Sequence, residues 1–251
     1  RMTTNARSRL EEARLALMFL TRLPVGGLKD PAPTLADARW AFPLVGLVLG
    51  ALGWAAQHGA LALGLGALPA AVFALCILTL VTGGLHHDGL ADFADGIGGG
   101  RDRDHCLEIM RDSRIGSYGV LALIFAVGLQ ASALATFERG APFALFALGC
   151  VGSRLLMLMV LDLLPPARDG GLGHAASGNT YRTWAPGAVV LVVLTFLAGA
   201  APALLAGALA AFLVARLAKR RIGGQTGDVL GAVQMLSAVA IWLTAAAMMA
   251  P

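Results

Sequence analysis

The residues best suited to chemistry lie in one stretch, Gly83 to Tyr118. It holds seven of the chain's fifteen acids: Asp88, Asp92, Asp95, Asp102, Asp104, Glu108 and Asp112. Asp88, Asp92 and Asp95 are spaced i, i+4, i+7. At about 100° per residue they fall within about 60° of one another on one helix face. Like charges at that spacing repel and destabilise a helix, so three together call for a compensating cation. Carboxylate oxygens suit Mg²⁺, which keeps several waters and takes one or two carboxylates together with substrate phosphates. The alternative is a solvated acidic face that binds nothing. The helical spacing and the interleaved glycines favour the metal. Gly89 and Gly96 weaken a helix by about 1 kcal/mol each, and without side chains they would let a phosphate ligand approach the backbone.

The same stretch offers further candidates. Glu108 and Asp112 are again i, i+4 and add two carboxylates to the metal set. Arg111 and Arg114 are i, i+3, and guanidinium forks bind phosphate oxygens in pairs. The competing reading is a ladder of intrahelical salt bridges worth a few tenths of a kcal/mol per pair. His86 and His87 precede Asp88. His86 is a candidate base, although an ideal helix turns it roughly opposite Asp88. Cys106 beside His105 reads as a bystander, and the three scattered cysteines form neither a disulfide framework nor a zinc pattern. Two more polar segments stand out. One is Phe19–Val25, with Arg22. The other is Gly223–Ala232, with Thr226 and Asp228. The second has the glycines of an anion loop but lacks the Lys-Ser/Thr of a P-loop. Asp228 suits a helix cap as well as a ligand role.

Apolar elements must hold these residues. Of 251 residues, 57% are hydrophobic and 14% charged, against about 25% charged in soluble domains. Such a chain belongs to the membrane class, and its Ala, Gly and Leu suit closely packed membrane helices. A span needs about 17–25 apolar residues. Runs of that character are 38–57, 61–82, 117–137, 142–164, 186–199, 202–218 and 229–249. The expected fold is therefore all-α: one polytopic membrane domain over 1–251 with about seven transmembrane helices, six or eight being the alternatives. The fifth and sixth runs are short and could form a hairpin around Gly199–Pro202. Residues 8–24 are amphipathic and charged, which reads as an interfacial or active-site helix and not as a targeting peptide.

With the N-terminus in the cytoplasm, the segments 1–37, 83–116, 165–185 and 219–228 fall on that side with nearly all the Lys and Arg, Arg182 included. The outer loops keep only Arg139. This follows the positive-inside bias and points to a multi-pass inner-membrane protein whose chemistry faces the cytoplasm. The spans are nearly bare of charge, Arg154 being the clear exception, which argues against a channel or transporter. Membrane lipid is an expected partner, nucleic acid is not, and a homo-oligomer is compatible with the pattern.

The run GLHHDGLADFADG at 84–96, followed by LEIMRDSRIGSYGV at 107–120, resembles the cobalamin synthase family, the adenosylcobinamide-GDP ribazoletransferases. The match extends in order to Phe19–Val25, Phe42–Gly46 and Thr226–Ala232, and so covers most of the chain. The resemblance implies Mg²⁺-dependent transfer of the cobinamide-phosphate group of adenosylcobinamide-GDP to α-ribazole or its 5′-phosphate. The products would be adenosylcobalamin or its 5′-phosphate and GMP, in the last assembly stage of cobalamin. It implies attack by the ribazole 5′-oxygen, with Asp88, Asp92 and Asp95 catalytic and metal-binding and His86 as an accessory base. Glu108 and Asp112 complete the metal set. Arg22, Arg111, Ser113, Arg114, Thr226 and Asp228 would contact substrate. Two positions depart from the pattern: His87, where Leu is commoner, and 234–238, which carries no acid. Other readings remain open. A CDP-alcohol phosphotransferase has a similar Asp-Gly helix but Arg in place of Asp92. A divalent-cation transporter would need acids within the spans, and a prenyltransferase two Asp-Asp-rich motifs.

Overall fold

The computed structural model describes residues 2–168, 175–176 and 183–249. Arg182 lies outside them. Within them the chain is helical, with one isolated bridge between Pro166 and Gln225. Helix α1 (Met2–Leu20) is followed by α2 (Leu35–Ala38), which runs through a 3₁₀ turn into α3 (Phe42–Ala62). Thr34 and Asp37 begin α2 with a capping box, each side chain accepting the other's backbone N–H. The remaining helices are α4 (Ala67–Thr82), α5 (Leu85–Gly99), α6 (Arg103–Ile109), α7 (Ser117–Ala135), α8 (Phe143–Leu163), α9 (Ala185–Ala198), α10 (Ala201–Ile222) and α11 (Gly227–Met249).

The seven expected apolar runs correspond to α3, α4 and α7 to α11. Five of these, α3, α7, α8, α10 and α11, are long and apolar enough to cross a bilayer alone. The other two are α4, which meets the test together with α5, and α9, which is shorter. Helix α8 is the centre of the bundle. Its residues 145–158 are all buried, between α3, α9, α10 and α11. The outer faces are apolar too: Phe125, Val192, Phe196 and Leu205 are each more than 60% exposed. Water would not tolerate so continuous an apolar surface, whereas lipid requires it. The chain is a multi-pass membrane protein.

Tertiary contacts sort the helix ends onto two sides. On one side, Arg39 forms a buried ion pair with Asp162 at the end of α8. Asp162 also accepts from the Trp184 indole, just before α9. The Arg22 backbone N–H donates to Val81 at the end of α4. Arg221 of α10 donates to Gly100 after α5. On the other side, the fully buried Gln57 of α3 bridges Leu134 of α7 and Ala141 before α8. The crossing helices thus alternate in direction, and α5 lies across the end of the bundle.

The first half of the segment 83–116 is thereby packed into the bundle. Gly83 and Gly84 both take positive φ, 64° and 71°, a conformation that glycine adopts without a Cβ penalty. They turn α5 by 92° from α4. α5 then packs on α11 and α7, burying His86, Gly89, Leu90, Ala91, Phe93, Asp95 and Gly96.

Candidate active site

The three aspartates of α5 share a stripe but not an environment. Asp88 is exposed, Asp92 half-buried and Asp95 buried. Asp95 accepts the backbone N–H of Gly116 at 2.7 Å and of Gly119 at 2.8 Å. These are orphan donors of the first turn of α7, where the helix dipole favours an anion. A Cβ on Gly116 or Gly119 would lie 2.4 Å from an Asp95 oxygen. The GSYG motif is therefore shaped to admit this carboxylate. Both Asp95 oxygens are engaged by backbone, so the geometry gives Asp95 an anchoring role where the spacing suggested a metal ligand.

What meets Asp88 and Asp92 comes from α11. A Cβ on Gly89 would sit 3.1 Å from the Cα of Gly231 and 3.2 Å from that of Asp228. The two backbones cross in near contact, which sets Asp228 beside the α5 aspartates. Gly96 likewise packs, against Cys106 of α6 and Met110 just after it. The glycines of α5 thus serve helix crossing rather than the approach of a phosphate. Thr226 caps α11, accepting the Val229 N–H, and its hydroxyl donates to Asp228 at 3.1 Å. The cap is thus Thr226, which leaves Asp228 free for the site.

Arg168 completes the group. The loop after α8 pairs with the loop before α11: Gln225 N–H donates to the Pro165 carbonyl, and Ala167 N–H to the Gln225 carbonyl, both at 2.8 Å. The pairing brings Arg168 within 3.7 Å of Asp228. Its Nη1 is buried and has no hydrogen-bond partner among the described residues. Sequence reasoning counted Arg168 only as a loop charge. Its neighbours Pro165 and Pro166 carry no motif, and its partner lies in a distant segment.

The electrostatics follow from the geometry. Asp92 is pushed up to about 7, first by burial and then by the charges of Asp88, Asp228 and Asp95, with Arg168 opposing. Three carboxylates around one half-buried acid are short of positive charge. Among the described residues no group of three or more His, Cys, Asp or Glu side chains is placed to hold a metal ion by itself. The carboxylates of Asp88, Asp92 and Asp228 are hard oxygen donors of the kind that Mg²⁺ takes one or two of, drawing the rest from water and phosphate. Glu108 and Asp112 are not among the charges that act on Asp92. Glu108 instead lines a separate cleft, and Asp112 pairs with Arg114 at 2.6 Å. The competing reading, a helical salt-bridge ladder through these residues, does not hold, because α6 ends at Ile109. Asp112 accepts the Arg114 N–H in a local turn, a bond that competes with helix.

Cavities lie around the carboxylates. One of about 800 Å³ is lined by Met18, Arg22, Gly83, Asp88, Ile115 and Leu123. One of about 150 Å³ has Phe19, His86, Asp88 and Asp228 in its wall. One of about 440 Å³ is lined by Arg103, Asp104, Glu108, Arg111 and Arg168. Arg22 and Arg111 are thus at cavities, whereas Ser113 and Arg114 are exposed. His86 is buried, and burial followed by the Arg154 charge holds its imidazole well below the usual range.

Residues 12–246 match the family described as cobalamin-5-phosphate synthase. A protein of Bradyrhizobium diazoefficiens named adenosylcobinamide-GDP ribazoletransferase is 45% identical over 98% of this chain and 96% of its own length. Proteins of the same name from Mesorhizobium japonicum and Azorhizobium caulinodans are 41% and 43% identical, over 97% and 92% of this chain and 96% and 93% of their own lengths. No solved structure matches. A match to the family over nearly the whole chain shows that this protein belongs to the cobalamin-5-phosphate synthase family.

Proposed function

We propose that the chain is an adenosylcobinamide-GDP ribazoletransferase. It transfers the cobinamide-phosphate group of adenosylcobinamide-GDP to α-ribazole or its 5′-phosphate and releases GMP. The observation that carries this reading is the group Asp88, Asp92 and Asp228 with Arg168, set between a cavity of about 800 Å³ and an arginine-lined cleft of about 440 Å³. The corrinoid half of the donor takes the larger cavity beside Arg22 and Asp88. The nucleotide half takes the cleft of Arg103, Arg111 and Arg168, and the diphosphate lies between them.

A hydroxyl oxygen of the ribazole attacks the cobinamide-side phosphorus in line, and the bond to the GMP oxygen breaks. An acceptor whose 5′-oxygen already carries phosphate keeps that group in the product. The attacking atom is therefore another ribose hydroxyl, in place of the 5′-oxygen expected above. Phosphoryl transfer asks the protein mainly for positioning and charge stabilisation. Arg168 and Arg111 hold the phosphate oxygens through paired N–H bonds. Asp92, poised near 7, takes the proton of the attacking hydroxyl. Mg²⁺ held by Asp88 and Asp228 would supply charge neutralisation at the diphosphate. The reaction faces the cytoplasm of the inner membrane, as the one-sided Lys and Arg distribution supports.

The test is purified protein in vesicles, supplied with adenosylcobinamide-GDP and α-ribazole and followed for GMP release. Activity that needs a divalent cation and is abolished in Asp92→Ala is expected. Consumption of a CDP-alcohol instead of the GDP-activated corrinoid would replace this reading with the CDP-alcohol phosphotransferase.

A further inference from the structure

A second cleft, of about 560 Å³, runs between α8 and α10. It shares no lining residue with the cavities around the aspartates. Its walls are apolar, with Leu156, Val160, Ala208 and Phe212 among them, and one end is closed by Arg216, Lys219 and Arg220. The three cations are exposed, and among the described residues none pairs with a carboxylate. At i, i+3, i+4 they share one helix face, where like charges repel. Leu205, Leu209, Phe212 and Leu213 of the same helix are each more than 50% exposed, so the cleft opens onto the surface that meets acyl chains. The bland account is three side chains reaching the interface from a helix C-terminus. That account needs no cleft beneath them.

We propose that this cleft is a binding site for an anionic phospholipid. One acyl chain lies between α8 and α10, and the headgroup phosphate sits on Arg216, Lys219 and Arg220. An apolar slot ending in unpaired cations near the membrane surface matches the two halves of such a lipid, and basic pockets between membrane helices recognise anionic headgroups in this way. A zwitterionic lipid fills the slot and brings the same phosphate, but its own ammonium offsets that charge and leaves the three cations without net compensation. Each cation near an anionic headgroup adds about a five-fold preference, so three give about a hundred-fold.

The experiment is lipid titration of the full-length protein in neutral detergent by native mass spectrometry, using phosphatidylglycerol and phosphatidylcholine of the same acyl chains. At least a ten-fold preference for phosphatidylglycerol is expected. Arg216→Gln, Lys219→Gln and Arg220→Gln together should lower phosphatidylglycerol affinity at least ten-fold. Ala208→Phe with Ala215→Phe fills the slot with the charges intact, and should lower the affinity for both lipids at least ten-fold. A smaller preference in the wild type overturns the proposal. So does slot filling without that loss, since attraction by surface charge alone would then suffice, and so does displacement of the lipid by millimolar inorganic phosphate. If the charge variant does not fold, the wild type and the slot-filling variant decide.

Discussion

Asp95→Asn separates two roles for the most buried of the α5 aspartates. In the fold Asp95 accepts two backbone N–H groups, at 2.7 and 2.8 Å, at the start of α7. Hydrogen bonds to a charged acceptor contribute about 1.5–3 kcal/mol each. Asparagine keeps one acceptor oxygen and turns its own N–H₂ toward the second donor. One bond is lost and the other weakens from charged to neutral, for a cost of about 2–4 kcal/mol. At about 2–4 °C per kcal/mol for a chain of this size, the melting temperature should fall by about 5–15 °C. The assay is thermal unfolding in detergent with and without Mg²⁺, together with GMP release against Mg²⁺ concentration at a temperature where the variant is folded. The drop should be the same with and without metal, and half-saturating Mg²⁺ should not move. An unchanged melting temperature with half-saturation raised ten-fold or more would refute the anchoring role and make Asp95 a metal ligand.

Three more outcomes follow from the site. The Asp92 carboxyl holds its proton up to about pH 7 in the fold, against an ordinary value of 3.8; the resulting stability is full below about pH 4 and lost as pH rises through about 7. Metal-free protein should therefore melt lower at pH 8 than at pH 6, and Asp92→Asn or added Mg²⁺ should remove the difference. Gly89→Ala drives a Cβ into the Gly231 and Asp228 backbone, at a cost of about 1–3 kcal/mol, and parts Asp88 and Asp92 from Asp228. Turnover should fall at least about ten-fold even where the variant stays folded, whereas Gly128→Ala, with open space at its Cβ, should match wild type in turnover and melting temperature. Arg168→Ala removes the cation between Asp228 and the arginine-lined cleft. It should raise the donor KM and lower kcat, with about a hundred-fold loss in kcat/KM, and Lys should recover only part because it lacks the planar fork; equal activity in all three forms would exclude Arg168 from the site.

Much of this molecule was legible from its sequence. The seven apolar runs became helices because a helix satisfies its own backbone hydrogen bonds in lipid, a local requirement. The i, i+4, i+7 aspartates fell on one stripe of α5 because helical spacing is also local. Sequence also named Asp228 and Thr226, through the motif at the start of the last helix. It could not say that Thr226 would cap α11 and so free Asp228 for the site.

What only the tertiary structure decided is which carboxylates meet. That depends on the 92° turn at Gly83–Gly84 and on the crossing of Gly89 with Gly231, two segments far apart in the chain. The crossing recruits Asp228, while the approach of α7 diverts Asp95 to backbone donors. Arg168 enters through a loop pairing that no periodicity encodes. A helix repeat places charges relative to one axis. The charge that Asp92 experiences is set by neighbours on other axes, and those are fixed only when the helices pack.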